Sequence, residues 1–151
     1  MYFNIVNSDD FKKIMQINLS NIIGFLLESE TEFGVLVDMK AVDFDPLLPD
    51  DLTLGDPSYF VLGGYTLQSA AIENETLVFE AGFGEDNFGS TVTLPLASIL
   101  QISLDNKAIA INMAPSPTQK PSQVKQEEQK HQKHSMNVFA SNPENEKFFK
   151  K

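Results

Sequence analysis

The side chains best suited to catalysis are scarce in this 151-residue sequence, and they are poorly placed for it. The two histidines, His131 and His134, lie three residues apart in a polar tract, where only a transient helical turn would let them share a metal ion. Cysteine is missing, which excludes thiol nucleophiles, thiolate metal ligands and disulfides. We therefore expect a protein that is not an enzyme and that holds no cofactor and no metal.

Aspartates offer the one alternative to that expectation. Their side chains could gather around Mg²⁺ or Ca²⁺, but their spacing does not match an EF-hand loop, which needs ligands at fixed offsets, a central glycine and a final glutamate. The residues concerned are Asp38, Asp43, Asp45, Asp50 and Asp51. A solvated acidic loop is the favoured interpretation, and a metal-dependent enzyme is kept as the third hypothesis.

A glycine-rich segment, AGFGEDNFGS at residues 81–90, lacks the Gly-Lys-Ser/Thr ending of a phosphate-binding loop. No helical pattern follows it directly, so a nucleotide site is not expected. The segment predicts a hairpin with a turn from Gly82 to Gly89, whose backbone a ligand chain can approach closely because side chains are missing. Phe83 and Phe88 would then lie at the rim of that approach.

Charge divides the chain into two parts. Residues 1–112 hold 4 Lys and 17 acidic residues, 4 − 17 = −13, whereas residues 113–151 hold 7 Lys and 4 acidic residues, 7 − 4 = +3. The acidic part repels phosphate backbones, so we expect no nucleic-acid partner. The eleven basic residues are all lysines, so no arginine is present for bidentate recognition of carboxylates. Without an apolar run of about 18 residues or a signal-peptide pattern, we expect a cytoplasmic protein with no membrane partner.

One amphipathic helix is predicted near the start, over about residues 8–29. Apolar residues recur there at intervals of three and four from Phe11 to Leu26, after acidic residues and Ser8 that suit a helix start. Residues 18–24 include asparagines, a serine and a glycine, which would allow a bend or a split near Ser20. Because Phe25 points away from the first apolar face, a contact with a second copy of the chain is one explanation.

Short strands are predicted after residue 30, where the period changes to two. The connection from Asp43 to Pro57, rich in aspartate and proline, is predicted to be irregular. The seven candidate strands are Phe33 to Met39, Tyr59 to Leu62, Tyr65 to Ala70, Thr76 to Ala81, Thr91 to Leu94, Ile99 to Leu104 and Ala108 to Met113. One helix followed by seven strands predicts a mainly β, α+β domain over residues 1–112, built as a small, partly open β-barrel or sandwich.

The remaining residues predict a tail. Residues 113–145 contain few large apolar side chains and are expected to form a disordered linker. Residues 146–151 regain aromatic residues, and Phe148, Phe149 and Lys150 are predicted to form a short docking motif. The alternative is that these are chance residues on a loose end.

Several segments, taken in order, resemble the SspB (stringent starvation protein B) family, the specificity-enhancing adaptors of the bacterial ClpXP protease. Residues 25–39, FLLESETEFGVLVDM, are similar to the family's helix end and first strand. Residues 60–103 are similar to its central run through the landmarks VLGG, Glu-Asn-Glu, FEAGFG and VTLPLASILQI. The resemblance covers roughly 85 positions, and it is carried by the order of the segments rather than by any one of them.

The resemblance implies an N-terminal helix before a β-sandwich related to Sm-type folds, a homodimer formed through that helix, and a groove that binds the ssrA degradation tag. Gly82 stands where the family usually has arginine, and residues 85–88 lengthen the neighbouring loop, so the tag sequence itself is left open. The groove positions are Val61, Leu62, Gly63, Tyr65, Ala81, Gly82, Phe83 and Gly84, and those of the dimer are Ile22, Phe25 and Leu26. The tail end would dock on the N-terminal domain of the ClpX unfoldase.

Two functions of different kinds remain. The preferred hypothesis is an adaptor that carries ssrA-tagged proteins to ClpXP, with separate binding activities in the groove and the tail. The second is a small acidic export or folding chaperone, which would hold its client on the surface of the helix and sheets. Deleting the tail end separates them, because only the adaptor depends on it.

Overall fold

The computed structural model describes residues 1–123, of which Met1–Pro121 form one compact unit. The predicted linker and docking motif therefore lie mostly outside the described residues, as do His131 and His134. Compact structure extends beyond residue 112: the amide of Asn112 donates to the carbonyl oxygen of Ile99 at 3.0 Å, and its carbonyl oxygen accepts from the backbone N–H of Ala114 at 2.9 Å.

Helix α2, Asp9–Glu28, is the predicted amphipathic helix, and it runs without a split past Ser20. The hydroxyl of Ser8 accepts a hydrogen bond from the backbone N–H of Phe11 at 3.2 Å. Two acidic residues occupy the first turn, where their negative charge stabilises the positive end of the helix dipole. Leu19, Ile23 and Leu26 form its fully buried face. Their spacing of four and three places them on one stripe that packs on the sheets.

Two antiparallel four-stranded sheets make up the rest of the unit, and they do not close into a barrel. The first sheet has the order β3-β1-β7-β8, with strands Ser58–Leu62, Phe33–Val37, Ile99–Leu104 and Lys107–Ile111. The second sheet has the order β2-β6-β5-β4, with strands Asp43–Asp45, Phe88–Pro95, Thr76–Phe83 and Ala71–Glu73. The mixed helix-and-sheet class expected from the sequence is confirmed at this level.

One hydrophobic core joins α2 to the inner faces of both sheets. Because successive residues of a strand point to opposite faces, alternate residues of the central strands β5 and β6 enter this core. The buried members include Leu19 and Ile23 from α2, Val35, Leu62 and Ile102 from the first sheet, and Leu77, Phe79, Val92 and Leu94 from the second. Tight turns close two hairpins: Asn74 and Glu75 join β4 to β5, and Asp105 and Asn106 join β7 to β8, all with positive φ.

The prediction of a single helix and of a strand from Tyr65 to Ala70 is wrong. The structure contains a short helix α1, Tyr2–Val6, and a helix α3, Gly64–Ser69, in addition to α2. Leu67 and Ala70 are the residues of this segment that pack against the core, and their spacing of three is helical rather than extended. The alternating pattern was misleading because Tyr65 is exposed and points away from the core.

Two smaller differences concern the second sheet. Asp43–Asp45 form strand β2 against β6 within the stretch predicted to be irregular. Strand β5 continues to Phe83 and β6 begins at Phe88, so the turn between them spans only residues 84–87.

Within residues 1–123, no helix combines the length and the apolar composition needed to cross a bilayer.

Candidate functional site

A cleft of about 480 Å³ lies on the outer face of the second sheet. It extends from the end of β2, at Asp45 and Pro46, across β6 and β5 to Tyr65 and Thr66 of α3. Asn87, in the turn between β5 and β6, closes one side. Four separate parts of the chain therefore contribute to one concave surface, which we call the cleft.

Strand register determines which side chains form its floor. Glu80 pairs with Thr91, and Thr91 pairs on its other side with Asp45, so these three lie in one row across the strands. Gly82 pairs with Gly89 in the next row. The floor of the cleft therefore has a polar row beside a row without side chains.

The two floor glycines differ in how much space lies above them. A Cβ added at Gly89 would have no neighbour within 4 Å, whereas one added at Gly82 would lie 1.8 Å from the side-chain oxygen of Asn87. Gly89 thus lies at an open part of the floor. The side chain of Asn87, from the hairpin turn, covers Gly82, so this glycine does not add open space to the floor.

The wall formed by α3 is attached to β5 by two side chains. The phenol of Tyr65 donates a hydrogen bond to the carboxylate of Glu80. The hydroxyl of Ser69 donates to the carbonyl oxygen of Thr66 at 2.7 Å and accepts from the backbone N–H of Glu80 at 2.9 Å. The hydrogen bond to Glu80 and the negative charge of its carboxylate raise the pKa of Tyr65, so the phenol remains protonated and remains a donor at neutral pH.

Beyond Val78, no strand of the described residues pairs with the β4 side of β5. Strand β4 pairs only with Thr76–Val78, and the N–H of Glu80 on the same edge is bonded to Ser69. Because the backbone groups of an antiparallel strand alternate between its two edges, those of Gly82 point to the same side as those of Glu80. Within the described residues, no strand pairs with Gly82 on that side.

The cleft is acidic. Asp45 and Glu80 line it, and no lysine does so among the described residues. The turn beside it also carries Glu85 and Asp86.

Three of the eight predicted groove residues line the cleft: Tyr65, Ala81 and Gly82. Leu62 is buried in the core, and the ring of Phe83 packs edge-on against Phe44 and Phe60. Val61 is exposed on the outer face of the first sheet, away from the cleft.

The two remaining predicted glycines also lie outside it. A Cβ added at Gly63 would lie 2.5 Å from a carboxylate oxygen of Glu32, and one added at Gly84 would lie 2.9 Å from Leu52. Gly84 has a φ of 73° in the turn, a conformation that suits glycine.

Residues that sequence reasoning missed supply most of the polar lining. Asp45 and Thr91 enter the cleft through the register of β2 on β6, and Glu80 enters as the outward neighbour of Ala81. Alternation within β5 is the signal that could have identified Glu80. Asp45 had no such signal because its strand lies in a stretch that resembles a loop.

The predicted dimer residues differ in exposure. Phe25 has 68% of its side chain exposed, Ile22 is partly buried, and Leu26 belongs to the core at 3% exposure. Ile14 and Ile17 are also exposed on the same helix. The surface of α2 that can meet another molecule, which we call the helix surface, therefore contains Ile14, Ile17 and Phe25.

The predicted docking residues Phe148, Phe149 and Lys150 lie outside the described residues. Among residues 1–123, no group of three histidine, aspartate or glutamate side chains comes together in a way that could hold a metal ion. Compared with known proteins, the chain matches no protein-family model and no curated protein.

Proposed function

We propose that this protein is an adaptor of the bacterial cytoplasm that binds ssrA-type degradation tags and delivers the tagged proteins to the ClpXP protease. The observation that carries the proposal is the cleft of about 480 Å³. It is lined by three of the residues that the resemblance matches to the SspB groove. An Sm-type relationship of the fold, implied by the same resemblance, is part of this proposal.

Two features of the cleft favour an extended peptide as its ligand. The floor at Gly89 leaves room for a chain to lie against the sheet, and the edge of β5 at Gly82, with which no strand of the described residues pairs, would offer backbone hydrogen bonds of the kind used when a peptide adds to a sheet. Such bonds are independent of the ligand's side chains. In the proposal these bonds supply affinity, and the side chains that line the cleft supply selectivity for the tag.

Delivery requires a second binding activity in the same chain. In the proposal, the terminal Phe148, Phe149 and Lys150 dock on the N-terminal domain of ClpX while the cleft holds the tag. The intervening residues then raise the effective concentration of the tagged protein near the unfoldase without a new contact, provided that both ends bind at once.

The homodimer belongs to the same proposal. Ile14, Ile17 and Phe25 expose apolar area on the helix surface, and a Cβ added at Gly24 beside them would have no neighbour within 4 Å. A second copy of α2 can approach closely at such a glycine. Two clefts in one dimer would double the number of tags held by each adaptor.

A chaperone for export or folding is the second candidate, and one observation favours it. The outer face of the first sheet exposes Tyr59 and Val61, two residues apart on β3, which form an apolar surface separate from the cleft. A client held there would be recognised by its apolar side chains rather than by a tag. In that case the tail end would have no part in the activity.

The test compares the full chain with a variant lacking residues 146–151 and with a control in which residues 125–130 are deleted. Binding of an ssrA-tagged reporter is measured by fluorescence anisotropy, and its degradation is measured with purified ClpXP. We expect all three proteins to bind the tag equally. Only the variant without residues 146–151 should fail to accelerate degradation, and equal acceleration by all three would overturn the proposal.

A further inference from the structure

The two carboxylates of the cleft lie on either side of Thr91. Asp45, Thr91 and Glu80 belong to three neighbouring strands at one level. Neighbouring strands are about 4.8 Å apart, so the backbones of the two acidic residues are about 10 Å apart. A positively charged group above Thr91 would therefore lie between two negative charges.

The rest of the cleft suits a long side chain. Next to this row, the floor at Gly89 has no side chain and is open above. The ring of Tyr65, 68% exposed, stands on the wall next to Glu80, where it can contact the apolar stem of a lysine or the plane of an arginine. Its hydroxyl fixes the carboxylate of Glu80, which reduces the ordering needed when a ligand binds.

We propose that the cleft selects an extended segment that carries a lysine or arginine, with the charged group above Thr91 between Asp45 and Glu80. This inference rests on the proposed function, because it names the peptide class that the same cleft accepts. It does not depend on delivery to a protease. Gly82, which stands where the resemblance to SspB leads one to expect an arginine, is consistent with it: no lysine of the described residues lines the cleft, so the positive charge would come from the ligand.

A divalent metal ion is a poorer occupant of this position. Mg²⁺ and Ca²⁺ require several oxygen ligands at about 2.0–2.6 Å, whereas the two carboxylates arise from strands that Thr91 separates. The long, flexible stem of a basic side chain does not need converging ligands. It needs a channel and negative charge at the end, and the cleft offers both.

The experiment uses the full chain and four labelled peptides with blocked ends. The peptides share a neutral sequence rich in alanine and serine and carry lysine, arginine, leucine or glutamate at the centre. Fluorescence anisotropy should show the lysine and arginine peptides binding about tenfold more tightly than the leucine peptide, and the glutamate peptide binding most weakly. The preference should shrink at high salt because the charges are close to solvent.

Substitutions assign the preference to the two carboxylates. Glu80→Gln and Asp45→Asn should each weaken binding of the lysine peptide about threefold while leaving the leucine peptide unchanged. Glu85→Gln is the matched control, since it removes one negative charge from the adjacent turn without altering the lining of the cleft. It should leave the order of the four peptides as it is.

Failure of this inference can be distinguished from failure of the proposed function. Equal binding of all four peptides, or an unchanged lysine preference in both carboxylate variants, would overturn the inference and leave a peptide-binding cleft. If neither these peptides nor an ssrA-tagged reporter bind, the cleft is not a peptide site and both proposals fall.

Discussion

The outer faces of the two sheets each carry a glycine in a central strand, Gly34 in β1 and Gly89 in β6, but the surroundings of the two glycines are opposite. A Cβ added at Gly34 would lie 1.9 Å from the phenol oxygen of Tyr59, whose ring covers the glycine from the neighbouring strand. A Cβ added at Gly89 would have no neighbour within 4 Å. The space above Gly34 is thus filled by a neighbouring side chain, whereas the space above Gly89 is empty and forms a hollow.

This difference shows that a glycine on the outer face of a sheet does not by itself create a binding site. What decides is whether a neighbouring side chain lies over the glycine. Gly34 pairs with Val61, and the ring of Tyr59, two residues away on the same strand, covers it, whereas Gly89 pairs with a second glycine and has no side chain above it. The first sheet uses its glycine to seat an aromatic ring, which adds apolar packing to the outer face. On the second sheet Asn87 covers Gly82 but Gly89 stays bare, and the polar row beside them faces the cleft.

The largest expected effect comes from filling the hollow. Gly89→Phe should weaken binding of the lysine peptide about 100-fold, which corresponds to about 2.7 kcal/mol, because the ring occupies the floor on which the ligand lies. Gly89 does not have a positive φ, so the substitution should not strain the backbone. Thr93→Phe is the control, because Thr93 lies on the same strand and face but outside the cleft. This variant should bind the lysine peptide as the wild type does. Equal binding by both variants, measured by anisotropy, would place the ligand elsewhere.

A smaller effect is expected from adding a methyl group to each glycine. Gly34→Ala should lower the free energy of unfolding by about 1 kcal/mol, because Tyr59 must leave its position on the sheet. Gly89→Ala should raise it by about 0.5 kcal/mol, since the alanine meets no neighbour and reduces the entropy of the unfolded chain. Urea unfolding measures both values.

The same pair of variants can contradict the comparison. If Gly34→Ala were as stable as the wild type, the ring of Tyr59 would contribute nothing where it lies. In the double variant with Tyr59→Ala, the methyl group should cost nothing further, because the ring that it displaces is gone.

The smallest expected effect is a pH dependence of stability that arises from the phenol of Tyr65 at the cleft wall. The folded protein raises the pKa of Tyr65, so the hydrogen bond to Glu80 stabilises the fold fully below the unfolded pKa of about 10 and is lost as pH rises through the folded pKa. The stability difference between wild type and Tyr65→Phe should therefore be constant at neutral pH and vanish in strong alkali. Phenolate absorbance should show the highest titration step disappearing in Tyr65→Phe, and an unchanged curve would contradict the assignment.

The elements with strong local sequence patterns could be predicted from the sequence. Helix α2 combines a capping serine, acidic residues in the first turn and a buried stripe, and the structure places it from Asp9 to Glu28. The two hairpin turns around Asn74 and Asn106 were marked by residues that accept positive φ. Helix α3 was missed because its six residues are too short for a helical period to be visible beside the alternation of Tyr65 and Leu67.

The cleft was predicted only in part, because it depends on pairing between distant strands. Ala81 and Gly82 were predicted through the resemblance of FEAGFG to the SspB family, but Asp45 reaches the cleft only through its place opposite Thr91. No local signal contains that register. The exposure of Phe25 and the burial of Leu26 are likewise fixed by how α2 rotates onto the core, a property of packing rather than of the apolar count alone.

The groups that already occupy the edge of β5 have a consequence for the time that a ligand would stay bound in the proposed adaptor. Because β4 pairs as far as Val78 and Ser69 bonds to the N–H of Glu80, a bound peptide would form main-chain bonds with only the last part of β5. With so few hydrogen bonds the dissociation rate would be high and the residence time short, because related complexes differ mainly in their dissociation rates. A carrier that must surrender its cargo to a pulling motor benefits from such a weak grip, whereas a storage protein would not.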